Sequence, residues 1–139
     1  MTVETLSIDL QTGGNAEILD ITRRVGEVVD KAGIRNGTVT IFCPSATSAL
    51  TTLEYESGCI SDLQRLFNEI IDPERHYAHN ARWGDGNGHS HVRAALLGPS
   101  LTVPIVDGRL TLGTWQQIIY VDFDNRPRRR SLVAQVMGE

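Results

Sequence analysis

The chain has few aromatic side chains, 6% of its 139 residues, and only two cysteines. So few rings leave no visible stacking platform for single-stranded nucleic acid. Cys43 and Cys59 stand far apart with no Cys-x-x-Cys spacing, the usage expected of two free thiols in a cytosolic protein. No apolar run approaches the length needed to span a bilayer, which sets aside a membrane partner. The start, Met1-Thr2-Val3-Glu4, lacks the basic-then-apolar pattern of a secretory signal, so the cytoplasm is the expected compartment. Excess positive charge is missing too. The formal net charge is −4, which argues against broad electrostatic binding to nucleic acid. The one basic cluster, Arg126-Pro127-Arg128-Arg129-Arg130, reads as a solvated turn and strand entrance, with a grip on phosphates as the other reading.

What is present fits one ordinary globular domain spanning residues 1–139, with 40% apolar and 22% charged residues. Alternation predicts a first strand over Thr5 to Leu10 and a short extended piece over Ala16 to Leu19. Asp20 then caps a helix with Ile21, Val25, Val28, Val29 and Ala32 on one face and Gly33 as its stop. Thr38 to Cys43 and Leu50 to Tyr55 read as strands, and Ile60 to Ile71 as a second amphipathic helix ended by Asp72-Pro73. The stretch from Pro73 to Gly88 has no periodicity, and a gap of that length is usually functional or disordered. A short helix is expected over Ser90 to Leu97, before strands over Leu101 to Val106, Arg109 to Leu112, Trp115 to Phe123 and Ser131 to Met137. Asp107-Gly108 joins two of them as a hairpin turn. The expected fold class is α+β, a mostly antiparallel sheet with two main helices packed on one side.

The segment richest in chemistry is Arg82-Trp83-Gly84-Asp85-Gly86-Asn87-Gly88-His89-Ser90-His91. Three alternating glycines are entropically costly to order, and such a loop usually serves positive φ angles or a close backbone approach. It is neither a dinucleotide fingerprint, for want of a preceding buried strand, nor a P-loop, for want of the Gly-Lys-Ser/Thr ending. Opening a helix, it presents backbone N–H groups at the positive end of the dipole, so the N–H groups of Gly86, Asn87, Gly88 and His89 are candidate anion ligands, with Arg82 and Arg93 as supporting cations. All four histidines, His76, His79, His89 and His91, fall within sixteen positions around this loop. His79, His89, His91 and Asp85 are candidate ligands of a divalent metal, and His76 reads as structural. Glu54 is a further carboxylate that could complete the shell. Trp115 and Gln116 are expected on opposite faces of one strand, one of them packed and the other lining a polar pocket, with Trp115 the better candidate for the packed side chain.

Tyr77-Ala78-His79-Asn80, Asp85 to His91, Leu97-Gly98-Pro99-Ser100, Asp107-Gly108-Arg109-Leu110, Leu112-Gly113-Thr114-Trp115-Gln116 and Met137-Gly138-Glu139 run in order along almost the whole chain. Together they resemble the YjbQ family, whose members are often labelled secondary thiamine-phosphate synthases. The resemblance implies a compact homotrimer with a pocket near the subunit boundary, and a polar histidine site for a metal ion or an anion such as phosphate. It also implies a weak transferase activity joining hydroxymethylpyrimidine diphosphate to thiazole phosphate. On that reading His91 and His79 donate protons or hold a divalent ion, zinc or magnesium, Glu54 assists, and Gln116 orients the heterocycle. Many members open a His-Thr-Ser/Thr-Ala motif where this chain has Ser45-Ala46-Thr47-Ser48, so Ser45 stands in that histidine's place as a candidate anion ligand. His89 is an imidazole many members lack. A non-catalytic trimeric binder of a phosphorylated metabolite or metal, and a metal-dependent hydrolase, are the alternative functions.

Overall fold

The computed structural model describes residues 1–139. In chain order its elements are β1 (Thr2–Thr12), β2 (Glu17–Asp20), α1 (Thr22–Ala32), β3 (Gly37–Phe42), β4 (Ser48–Leu53), α2 (Ser57–Ile70), α3 (Ala78–Trp83), α4 (Gly88–Leu97), β5 (Ser100–Val106), β6 (Arg109–Leu110), β7 (Gln117–Asp122) and β8 (Arg128–Gly138). All strand pairs are antiparallel, and the fold is α+β. None of the helices is long and apolar enough to cross a membrane.

Two sheets form, one in the order β1-β8-β3-β5-β6 and one in the order β2-β7-β4. Period-two alternation turns Ile8, Val39, Ile41, Leu132, Ala134 and Val136 to the inner face of the larger sheet. There they meet Ile118 and Tyr120 of β7 and the Val25, Val28 and Val29 stripe of α1. The other face of β7 carries Ile119 and Val121, covered by Phe67 of α2, Ile71 at its C-cap and Ala94 of α4. The molecule is therefore layered as sheet, sheet, then α2 and α4. β7 is buried on both faces, so Ile118 to Val121 is a continuous apolar run rather than an alternating one.

Local signals set the ends of these elements. Gly33 stops α1 with φ of 67°, its N–H bonding the carbonyls of Val29 and Asp30. Asp107 and Gly108 both take positive φ, 51° and 80°, as a tight turn between β5 and β6 requires. Two segments depart from expectation. The aperiodic stretch before Gly88 contains α3, whose six residues are too few to display a helical period. Trp115 and Gln116 precede β7 in a turn instead of lying within a strand, and Trp115 is 72% exposed instead of packed.

Candidate functional site

The glycine loop is a built turn between α3 and α4. Gly84 ends α3 in the left-handed region, and Gly86 repeats that conformation two residues later with φ of 64°. Asp85 Oδ1 accepts the Asn87 N–H at 3.1 Å, and Asn80 Oδ1 accepts the Gly88 N–H at 2.8 Å. Asn125 Nδ2 donates to the Asp85 carbonyl at 2.8 Å, and Ser90 Oγ lies buried against Asn87 Oδ1 and the Phe123 carbonyl. Gly88 has no room for a side chain, because an added Cβ would sit 2.6 Å from Tyr77 Cβ.

This packing brings three of the expected residues together. His79 on α3, Asp85 in the loop and His91 on the first turn of α4 offer ligand atoms within 4.8 Å of one another. The imidazoles of His79 and His91 lie 4.4 Å apart, centroid to centroid. His79 Nε2 meets Asp85 Oδ2 at 3.1 Å, and the His79 ring beside it holds the Asp85 carboxyl below its ordinary value. Donors about 2.1 Å from a tetrahedral metal stand about 3.4 Å from each other, so the set is wider than a closed tetrahedral site and would have to draw in around an ion. Two nitrogens and one oxygen, with side chains 31% and 44% exposed at His79 and Asp85, leave coordination positions open to solvent. The donor set fits a divalent ion.

The other expected residues lie elsewhere. His89 is buried away from this set, tilted against Tyr77, with Nδ1 unpartnered; burial, then Arg93, pushes its pKa down. The i, i+2 spacing on a helix sends His89 and His91 to opposite sides, so they cannot share one ion. Arg93 is buried too, where Nε and Nη2 donate to the Ile71 carbonyl and Nη2 to Asn68 Oδ1. It caps the end of α2 instead of facing an anion. The cradle expected over Gly86 to His89 is half closed, because the Asn87 and Gly88 N–H groups have the partners given above. Arg82 is exposed and stacks over its neighbour Trp83. Glu54 follows β4 and is exposed near Glu56 and Cys59 at the start of α2. Gln116 closes its own turn, accepting from the Gly113 N–H at 3.0 Å and donating to Thr52 Oγ1 at 3.1 Å. His76 is exposed and outside the cluster.

Ser45 belongs to a second polar constellation that was not read from the sequence. Arg130 donates through Nε and Nη2 to Asp122, through Nη1 to Ser45 Oγ at 3.0 Å and through Nη2 to Thr47 Oγ1 at 2.9 Å. Thr12 donates to Asp122, and Thr47 and Arg128 both contact Asp124. Asp122 and Asp124 are fully buried, and Asp122 holds the Arg130 guanidinium above its ordinary pKa. The basic cluster is thus no solvated turn at Arg128 and Arg130. The signal was in the alternation: continuing Ile118-Tyr120 and Leu132-Ala134 by two-residue steps puts Asp122 and Arg130 on inward faces.

The sequence profile described as UPF0047 protein YjbQ-like matches residues 6–139. A UPF0047 protein of Methanothermobacter thermautotrophicus is 40% identical over 139 residues, 100% of this chain and 95% of that one. YugU of Bacillus subtilis, also a UPF0047 protein, is 33% identical over 133 residues, 95% of this chain and 98% of that one. Among solved structures, a hypothetical protein from Aeropyrum pernix superposes with a TM-score of 0.91 at 33% identity, covering 98% and 99% of the two chains. A YbjQ-like protein of unknown function from Sulfolobus solfataricus gives 0.90 at 32% identity, covering 99% and 100%. Fold, length and motif order all agree, and the chain belongs to the UPF0047 YjbQ-like family.

Proposed function

We propose that the protein is a metal-dependent transferase acting on small phosphorylated heterocycles, with His79, Asp85 and His91 holding a divalent ion. The observation that carries this reading is the convergence of those three donors at an open surface. Two imidazoles in the set favour zinc over magnesium. A cation bound there would supply charge to the oxygens of a diphosphate leaving group. In the thiamine-phosphate synthase reaction, the thiazole ring nitrogen attacks the methylene carbon of hydroxymethylpyrimidine diphosphate. The carbon–oxygen bond breaks and pyrophosphate leaves. Arg82, exposed on α3 three residues after His79 and in contact with Trp83, would be the cation for those oxygens.

A homotrimer would complete the reading. The main concavities of the surface lie away from the histidines, and on this reading another copy would supply a wall over the open cluster. The outer face of the five-stranded sheet supports self-association. Its rows Val3–Met137–Thr38–Pro104 and Ser7–Val133–Phe42–Ser100 carry no charge, and Val3, Phe42 and Met137 are 50%, 43% and 39% exposed.

The test is an assay of thiamine phosphate and pyrophosphate formation from the two substrates with zinc or magnesium, beside a His91→Ala variant. The reading expects product from the native chain and none from the variant. Metal binding without product, and without hydrolysis of the diphosphate, would overturn the transferase and favour the non-catalytic binder. Hydrolysis alone would favour the hydrolase.

A further inference from the structure

Of the three donors in the histidine cluster, Asp85 is the one whose place no helix sets. His79 sits on α3 and His91 on α4, whereas Asp85 lies in the loop between Gly84 and Gly86, both in the left-handed region. Flanking glycines make such a loop costly to hold in one shape. What holds it from outside therefore decides whether the carboxylate is in place before an ion arrives.

The hold comes from the turn between β7 and β8. Asn125 reaches the loop at two points, on either side of Gly86. Its side-chain Nδ2 donates to the Asp85 carbonyl at 2.8 Å, and its backbone N–H donates to Asn87 Oδ1 at 3.2 Å. Asn87 in turn donates its N–H to Asp85 Oδ1 at 3.1 Å. That bond occupies one carboxylate oxygen and leaves the other, Oδ2, beside His79 Nε2 at 3.1 Å. The ring of contacts through Asn125, Asn87 and Asp85 fixes where the Asp85 backbone stands and which oxygen it turns to the cluster.

The turn that carries Asn125 has a rigid base. Its neighbour Asp124 is buried, with its N–H donating to Asp122 Oδ1 at 3.1 Å and its carbonyl accepting the Asn15 N–H at 2.7 Å. The Asp124 carboxylate accepts from Thr47 Oγ1 at 2.9 Å and pairs with Arg128 at 3.1 Å. Gly14, at φ of 74°, packs so closely here that an added Cβ would stand 2.5 Å from the Asp124 carbonyl. Asn125 itself is exposed, so removing its side chain opens no cavity in the core.

We propose that Asn125 is a positioning residue for the metal site, presetting the Asp85 carboxylate through hydrogen bonds from the β7–β8 turn. The proposal rests on the metal reading of the cluster and adds a residue that does not itself touch the ion. Groups that orient metal ligands are typically worth about 10–100-fold in metal affinity. Asn125→Ala keeps the backbone N–H to Asn87 and loses only the side-chain bond, which sets the expected effect at the lower end.

Zinc titration of the full chain, native beside Asn125→Ala and Asn125→Asp, with urea unfolding of the metal-free proteins, tests it. Asn125→Ala should bind zinc about tenfold more weakly with its urea midpoint unmoved. Asn125→Asp keeps the size of the side chain but cannot donate. It should weaken binding as well, although its added negative charge alone would favour a cation. An affinity equal to the native one in either variant overturns the proposal and leaves the metal reading standing, as does a fallen urea midpoint that makes the loss a general loosening. The absence of a saturable zinc site in the native chain overturns the metal reading and the proposal with it.

Discussion

The histidine cluster and the Asp122–Arg130 network are both made of charged and polar side chains, but they face opposite environments. In the network the buried carboxylates of Asp122 and Asp124 are paired with Arg130 and the partly exposed Arg128, and hydroxyls from Thr12, Thr47 and Ser45 add further hydrogen bonds. In the cluster the donors are partly exposed, two of the three are imidazoles, and the His79–Asp85 hydrogen bond is the one polar link between them. Buried charges that are satisfied internally are structure. Surface donors that converge without satisfying one another are available to a ligand. The two regions should therefore respond to substitution in opposite ways.

The largest effect is expected where the network is cut. Asp122→Ala leaves the Arg130 guanidinium, 14% exposed at its side chain, without its principal partner, and should cost about 3–5 kcal/mol in urea unfolding. A loss under about 1 kcal/mol would show that the network is no structural keystone. Next comes the wall of the loop. Gly88→Ala forces a methyl into Tyr77, and overpacking of that kind costs about 1–3 kcal/mol, read by the same unfolding curve.

A third prediction separates the regions by pH. Burial alone would raise the Asp124 pKa, but the Thr47 hydroxyl and the Arg128 guanidinium outweigh it, and the folded value lies below the ordinary 3.8. A carboxyl depressed on folding adds stability that is complete above the unfolded value and lost as pH falls through the folded one. The melting temperature should hold down to about pH 4 and then fall, and Asp124→Asn should flatten that decline. A decline of equal steepness in the variant would assign it to other carboxylates. The smallest effect on stability belongs to the cluster itself. His91→Ala should stay within about 0.5 kcal/mol of the native chain, as surface substitutions do.

The legibility of the sequence divides along the same line. Strands with alternating residues, the α1 stripe with its Gly33 stop and the Asp107-Gly108 turn were readable because each depends on local periodicity or on a backbone angle. The special shape of the glycine loop was readable for the same reason: its composition makes sense only if the backbone takes unusual angles, as Gly84 and Gly86 do. Which histidines would meet was harder to read. His79 and His91 lie on separate helices, and their approach depends on α3, a helix too short to announce itself. His89 looked equal to His91 in sequence, yet the helix turns it inward. Arg93 looked like a free cation and is instead spent on the Ile71 carbonyl, a tertiary contact that no local pattern encodes. Asp122 and Arg130 were hidden by an assumption about charge, that a basic run is solvated, although their alternation with core residues said otherwise.

The account stands or falls on the cluster. Zinc titration of the metal-free native chain, followed calorimetrically beside His91→Ala and the exposed control His76→Ala, tests it most directly. The account predicts one saturable site per chain in the native protein and in His76→Ala, and its loss in His91→Ala with the fold intact. Binding that persists in His91→Ala, or no saturable site in the native protein, would contradict it.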